Sequence, residues 1–136
     1  MKTKTWIFLF VMMGTMVFFA NSCKDDDDDE PVVVVELPLL TTAQVVDLTQ
    51  NSATSGGNVL EDGGGVITAR GVVWDIAANP TLTTNVGITS DGTGVGTFTS
   101  YITDLEPETS YYVRAYATNS AGTAYGNEIN FTTPIP

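Results

Sequence analysis

The stretch LEPETSYYVRAYATNSAGTAYG, residues 105–126, decides the fold. A turn signal at Glu106-Pro107 precedes a run, Ser110–Thr118, in which apolar or small residues occupy every second position. Successive side chains of a β-strand point to opposite faces of the sheet, so this run predicts a half-buried strand. The predicted inward set is Tyr111, Val113, Ala115 and Ala117, and the predicted outward set is Tyr112, Arg114 and Tyr116.

Strand-like runs of Val, Ile, Thr and Tyr continue on both sides of this segment. Turn signals rich in Gly, Pro, Asn and Asp separate them roughly every 8–12 residues, which predicts an antiparallel β-sandwich. We find no helical periodicity of useful length. The predicted strands are Ala43–Thr49, Ala53–Leu60, Val66–Asp75, Thr83–Thr89, Thr97–Thr103, Ser110–Thr118 and Ala124–Thr132.

The corner before the Ser110–Thr118 run carries a family pattern. Leu105, Pro107, Thr109 and Tyr111 match the L-x-P-x-T-x-Y pattern of fibronectin type III domains, and the resemblance covers about residues 41–133. It implies a seven-stranded, all-β fibronectin type III or immunoglobulin-like sandwich. It also implies that Tyr111 is a tyrosine corner, whose hydroxyl bonds to backbone a few residues upstream.

Two longer stretches narrow the resemblance. TARGVVWD, residues 68–75, and YYVRAYATNSAGTAYGNEINFTT, residues 111–133, resemble the fibronectin type III-like repeats of bacterial surface lipoproteins. The resemblance implies a fold and carries no chemistry. The ending FTTPIP, residues 131–136, resembles the lead into a following domain in longer relatives, so the chain is either a single-domain protein or a truncated version of a longer one.

Alternation also predicts the core. A typical fibronectin type III domain buries a Trp on its second strand, where this chain has Gly57. Gly57 would leave that volume empty, and we expect Trp74 to fill the core instead, from the third strand. The other predicted core residues are Ala53, Ser55 and Val59 on the second strand and Phe98, Ile102, Leu105, Ile129 and Phe131 elsewhere.

The first 22 residues have the order of a secretory signal peptide. Lys2 and Lys4 precede an apolar run, Trp6–Phe19, and small residues follow it. The run is shorter than the roughly 20 residues of a membrane-spanning helix. A retained membrane anchor is the alternative, but the flank that follows is acidic rather than basic.

Cys23 is the only cysteine, and it directly follows the small residues Ala20 to Ser22. The segment resembles the lipobox of bacterial lipoproteins, although Ala20 stands where Leu is usual. The resemblance implies that Cys23 becomes the acylated mature N-terminus, and buried acyl chains would hold the protein on a membrane.

The acidic run after Cys23 supports the same localisation. CKDDDDDE, residues 23–30, resembles an export signal that sends lipoproteins of some Gram-negative bacteria to the outer face of the outer membrane. A block of like charges is also a disordered, solvated tether, and the two interpretations are compatible. Contiguous acids without turn glycines make a poor calcium site. The Val32–Val35 run that follows could form an added strand.

Charge and composition exclude several function classes. The chain has 16 Asp and Glu, 5 Lys and Arg and no His, giving a net charge of -11. Nucleic acid is therefore not an expected partner, because binding phosphates requires a basic surface. The usual catalytic bases and nucleophiles are missing from residues 31–136, so we predict no enzyme activity and no cofactor.

Three features resemble functional sites. DGTGVGTF, residues 91–98, is glycine-rich but precedes a strand, so a hairpin connection is favoured over a phosphate loop. The acid pairs Glu61/Asp62 and Glu106/Glu108 lie in turns, where carboxylates are normally solvated. The third feature is the candidate binding face Tyr112, Arg114 and Tyr116, since Tyr and Arg are enriched in binding hot spots; surface decoration is the alternative.

These observations predict a signal peptide (residues 1–22), an acidic tether (23–40) and a fibronectin type III-like sandwich (41–136). The predicted function is a non-catalytic, lipid-anchored binding or spacer module at the cell surface. The alternatives are carbohydrate or host-protein binding through the Tyr/Arg face, or an accessory subunit of an outer-membrane uptake or adhesion complex. The predicted membrane contact is through the acyl chains of Cys23.

Overall fold

The structure is a computed structural model that describes residues 31–136. Residues 1–30, with the predicted signal peptide, Cys23 and the acidic run, lie outside the described residues. Within 31–136, no helix is long and apolar enough to span a bilayer. The strands are β1 (Leu39–Thr42), β2 (Ala53–Glu61), β3 (Ala69–Asp75), β4 (Gly87–Ile88), β5 (Gly96–Ile102), β6 (Ser110–Asn119), β7 (Gly122–Tyr125) and β8 (Ile129–Thr132).

The strands form two antiparallel sheets. Sheet A has the order β1-β2-β5, and sheet B has the order β4-β3-β6-β7, with β8 also pairing with β6. Apolar residues from both sheets meet in one buried cluster, so the sheets pack face to face as a sandwich. The predicted all-β antiparallel sandwich is confirmed.

Several strand boundaries differ from the prediction. The first strand is Leu39–Thr42 rather than 43–49, and only an isolated bridge between Val46 and Thr54 continues it. The next residue, Asp47, has a left-handed φ of 51°, which is incompatible with an extended strand. The Val32–Val35 run lies outside both sheets.

The predicted fourth strand, 83–89, is reduced to Gly87–Ile88. The Asn85 side chain donates to the carbonyls of Thr81 and Leu82 at 2.9 and 3.1 Å, which closes a local turn in place of a ladder. The predicted last strand is interrupted into β7 and β8. At the interruption Asn127 Oδ1 accepts from the Thr42 amide at 2.9 Å, tying this edge to β1.

Alternation along β6 is as predicted for the core side. Tyr111, Val113, Ala115 and Ala117 are all buried. The core also contains Ala53, Val59, Phe98, Ile102, Leu105 and Phe131 from the predicted set, with Ile129 partly buried against it.

Trp74 fills the core from β3, as predicted, and the space at Gly57 is not empty. A Cβ at Gly57 would lie 2.9 Å from the Phe98 ring and 2.7 Å from the Ala115 Cβ. Phe98 faces Gly57 directly across the β2–β5 ladder and occupies the space. The Trp74 ring lies against Gly87 of β4.

Tyr111 closes the corner between β5 and β6. Its hydroxyl accepts a hydrogen bond from the Glu106 amide at 2.9 Å, which is the geometry of a tyrosine corner. Its ring is stacked on Phe131 with centroids 5.6 Å apart. The corner therefore fixes the backbone at Glu106, beside one open edge of the sandwich.

Candidate functional site

The candidate binding face lies on the outer surface of sheet B. Tyr112, Arg114 and Tyr116 leave β6 on the side opposite the buried cluster, and β3 runs beside them. Across the β3–β6 ladder, Tyr112 faces Asp75, Arg114 faces Val73 and Tyr116 faces Gly71.

Residues 76–89, which we call the covering segment, include the edge strand β4, and residues on either side of β4 contact this face. Arg114 Nε and Nη2 donate to the Pro80 carbonyl at 3.0 and 2.6 Å. The Arg114 guanidinium carbon also lies 4.2 Å from the centroid of the Tyr125 ring, within the range of a cation–π contact. Pro80 is buried as a result. Arg114 therefore binds the protein's own backbone.

Tyr116 is not exposed, and the prediction of an outward contact residue fails there. Its side chain is 4 % exposed, and its hydroxyl donates to the Thr89 carbonyl at 2.6 Å. Burial raises the pKa of Tyr116 above 10.0, and the charge of Asp91 adds to the rise. The physical reason for the burial is that the end of the covering segment lies over β3 beside this ring.

Gly71 explains how the chain reaches this position. A Cβ at Gly71 would lie 2.2 Å from the Thr89 carbonyl oxygen, so the close approach requires glycine. Gly71 also faces Tyr116 across the ladder. In the sequence, the glycine inside the predicted third strand was the signal that another segment approaches the strand closely there.

Tyr125 is a residue that sequence reasoning missed. It lies on β7 opposite Tyr116, and its hydroxyl accepts from the Leu82 amide at 3.0 Å. Together with Arg114 it attaches the middle of the covering segment to sheet B. Tyr112 is half-buried, so Tyr112 and Arg114 are the members of the predicted face that keep partial exposure.

The glycine-rich stretch 91–98 surrounds an arginine. Arg70 donates to the carbonyls of Asp91 and Gly94, both at 3.0 Å, and of Val95 at 3.2 Å. Its guanidinium carbon lies 5.2 Å from the centroid of the Phe98 ring. A phosphate loop presents amide N–H groups to its ligand, whereas this loop directs carbonyls at a cation.

The predicted hairpin connection is also wrong for this stretch. It joins β4 of sheet B to β5 of sheet A, so the chain crosses between sheets instead of reversing within one. The Asp91 carboxylate accepts from Thr89 Oγ1 at 2.9 Å and from the buried Ser100 hydroxyl. These contacts fix the crossover at the end of the covering segment.

The acid pairs do not come together as a catalytic arrangement. Glu61, Asp62, Glu106 and Glu108 are all exposed. In the part of the chain that the structure describes, no three acidic, His or Cys side chains are grouped to hold a metal ion.

A cleft of about 440 Å³ opens at one edge of the sandwich. It lies between β4, at the edge of sheet B, and the turn that joins β5 to β6. Sequence reasoning missed it, because its two walls are more than ten residues apart along the chain. Its lining includes Trp74, Ile76, Val86, Ile88, Asp104 and Glu106.

No family model and no curated protein matches the chain. Among solved structures, the fourth fibronectin type III domain of a human protein aligns with a TM-score of 0.57 at 16% identity, over 82% of this chain and 91% of that domain. The fold is that of a fibronectin type III domain.

Other solved structures share this fibronectin type III fold. The sensor domain of the anti-sigma factor RsgI4 from Pseudobacteroides cellulosolvens has a TM-score of 0.54 and 18% identity, over 76% of this chain and all of that one. The FN1–FN3 domains of chicken CNTN1 give a TM-score of 0.54 and 20% identity over 74% of this chain. This chain spans 31% of the CNTN1 structure.

Proposed function

We propose that the protein is a non-catalytic binding or spacer module, lipid-anchored through Cys23 and displayed at the outer face of the outer membrane. The fibronectin type III fold supports the module, since solved structures with this fold include a sensor domain and multidomain assemblies. The predicted signal peptide, Cys23 and the acidic run of the sequence support the anchor and the localisation.

The main support for a non-catalytic role is that both arginines of the domain are engaged in structural contacts. Arg70 and Arg114 are the only cationic side chains within residues 31–136. Both donate to the domain's own backbone carbonyls and lie against aromatic rings. They stabilise connections between strands, and stabilising negative charge in a transition state would require them to be free.

The anchor is tested by fatty-acid labelling in a Gram-negative host. The full chain should incorporate an alkyne fatty acid and fractionate with the outer membrane, and Cys23→Ala should abolish both. Ser22→Ala is the matched control, because it keeps a small residue beside the cleavage site and should retain the label. Labelling that persists in Cys23→Ala would exclude this cysteine as the anchor.

Display is tested by proteolysis of intact cells. The acidic tether should be cut by added protease, and the released fragment should contain the sandwich. A tether that is cut only after the outer membrane is permeabilised would place the domain on the inner side.

A second candidate function is glycan binding, and exposure of one aromatic ring favours it. Tyr101 is 70 % exposed on the outer face of sheet A, with Thr54 opposite it and Thr99 beside it on the same face. An exposed aromatic ring among hydroxyl groups is suited to stacking against a sugar. Binding on a glycan array should be lost with Tyr101→Ala; loss with Tyr112→Ala instead would return the site to the predicted Tyr/Arg face.

A further inference from the structure

The edge cleft has one apolar wall. Trp74 on β3, Ile88 on β4, and Ile76 and Val86 on the connection between these strands line this wall. All three aliphatic side chains are about half or more exposed. Apolar side chains grouped around a concave surface, rather than scattered singly, mark contact sites.

The opposite wall is acidic. Asp104 and Glu106 lie on the turn between β5 and β6, and both side chains are exposed. Neither described arginine neutralises them, because Arg70 and Arg114 are bound to carbonyls elsewhere. The cleft thus combines an apolar surface with uncompensated negative charge.

The acidic wall is held in place by the tyrosine corner. The Glu106 amide donates to the Tyr111 hydroxyl, and the Thr133 hydroxyl donates to the Glu106 carbonyl at 2.6 Å. Asp104 has a left-handed φ of 61°, which sets the direction of the turn. Backbone that is fixed before binding loses less conformational entropy when a ligand arrives.

We propose that this cleft binds a basic side chain, arginine or lysine, presented by a partner protein. The aliphatic stem of such a side chain would pack on Trp74 and Ile76, and its charged end would meet Asp104 and Glu106. A neutral apolar group would leave the carboxylates unused, and an acidic group would be repelled. The inference rests on the proposed binding role and assigns a ligand class to it.

The test uses 5-fluorotryptophan in the processed protein. Removal of residues 1–22 takes Trp6 away, so the spectrum has one signal, from Trp74 in the cleft. The probe is N-acetyl-arginine methylamide, and the matched neutral probe is N-acetyl-citrulline methylamide. The arginine probe should shift the Trp74 signal saturably, and its affinity should fall at high salt because salt screens the charge contacts. The citrulline probe should leave the signal unchanged.

The variant Asp104→Asn with Glu106→Gln removes both charges with little change of shape. Asn tolerates the left-handed φ of Asp104, so the turn should be retained. Loss of two exposed charge contacts should weaken probe binding about fivefold. The control is Asp47→Asn with Glu61→Gln, which makes the same substitutions away from the cleft, again at one left-handed residue. It should bind as the wild type does.

Two results would overturn the proposal. One is equal binding of the arginine and citrulline probes, which would identify the cleft as an apolar site. The other is an arginine shift that both double variants reduce equally, which would mean attraction to the overall negative charge. Neither result affects the fatty-acid labelling of Cys23, so failure of this inference is distinguishable from failure of the proposed anchor and display.

Discussion

The two outer faces of the sandwich differ in what covers them. On sheet B, Arg114, Tyr116 and Tyr125 bind the covering segment, residues 76–89, and Tyr116 is almost fully buried. On sheet A, the outward side chains of β5 are exposed, including the Tyr101 ring. Both faces carry outward tyrosines on a strand, Tyr116 on sheet B and Tyr101 on sheet A, yet one face is structural and the other is open.

The difference shows that alternation along a strand predicts which side of the sheet a residue faces, but not whether that side is exposed to solvent. Exposure on sheet B is decided by a connection more than 20 residues upstream of β6. On sheet A, the outward positions of β5 are mostly Thr, and they are exposed. Substitutions on the two faces should therefore have unequal effects on stability.

The largest expected effect is at Gly71. Gly71→Ala places a Cβ against the Thr89 backbone oxygen, so either β3 or the covering segment must move. We expect a loss of about 3 kcal/mol in the free energy of unfolding, measured by urea denaturation. Thr99→Ala on the open face is the control and should stay within about 0.5 kcal/mol of the wild type. Equal stability of Gly71→Ala and the wild type would contradict the close approach.

Arg114→Ala should have the next largest effect. It removes both donors to the Pro80 carbonyl and the contact with the Tyr125 ring. A loss of about 2 kcal/mol is expected in the same measurement. Arg114→Lys keeps the charge but not the planar pair of donors, so it should recover only part of the loss. Full recovery by Lys would mean that charge alone matters.

Tyr116→Phe should cost about 1 kcal/mol, since one hydrogen bond to Thr89 is lost. It should also change the pH dependence of stability. Because the pKa of Tyr116 is raised in the folded state, its contribution is fully present below pH 10.0 and is lost as pH rises through the raised pKa. In Tyr116→Phe, the part of the stability loss at alkaline pH that comes from this tyrosine should be absent.

Phenolate absorbance gives an independent check of the same tyrosine. Subtracting the alkaline titration of Tyr116→Phe from that of the wild type isolates one hydroxyl. Its midpoint should lie above 10.0, because burial and the Asp91 charge both disfavour the phenolate. A midpoint at or below 10.0 would mean that the covering segment leaves Tyr116 in water.

The smallest expected effect is on the open face. Tyr101→Ala should change the free energy of unfolding by no more than about 0.5 kcal/mol, because the ring is largely in solvent. A loss as large as that of Arg114→Ala would show that the two faces are equally structural.

The fold was predictable because its signals are local. The alternation of Ser110–Thr118 and the Leu105-to-Tyr111 corner pattern act over a few residues, and the structure has the buried set that they predict. Strand ends were less predictable. Asp47 and Asn85 end or replace strands through their own backbone angle and side-chain hydrogen bonds, which compete with β-propensity.

The candidate site was less predictable because it depends on distant contacts. Tyr116 is not the exposed contact residue that alternation predicts, because its hydroxyl is bonded to the Thr89 carbonyl. Thr89 lies 27 residues earlier in the sequence, so no pattern near Tyr116 indicates this contact. The space at Gly57 is not empty, because Phe98, the residue directly opposite on β5, fills it. Contacts between residues far apart in the sequence decide both positions, and local alternation does not predict such contacts.

Hydrogen exchange at the Leu82 amide tests most directly whether the covering segment is bound to sheet B. This amide donates to the Tyr125 hydroxyl. We predict slow exchange in the wild type, faster exchange in Tyr125→Phe and Arg114→Ala, and no change in Tyr101→Phe. Exchange of Leu82 in the wild type at the rate of an unstructured peptide would contradict the account, because the outer face of sheet B would then be free.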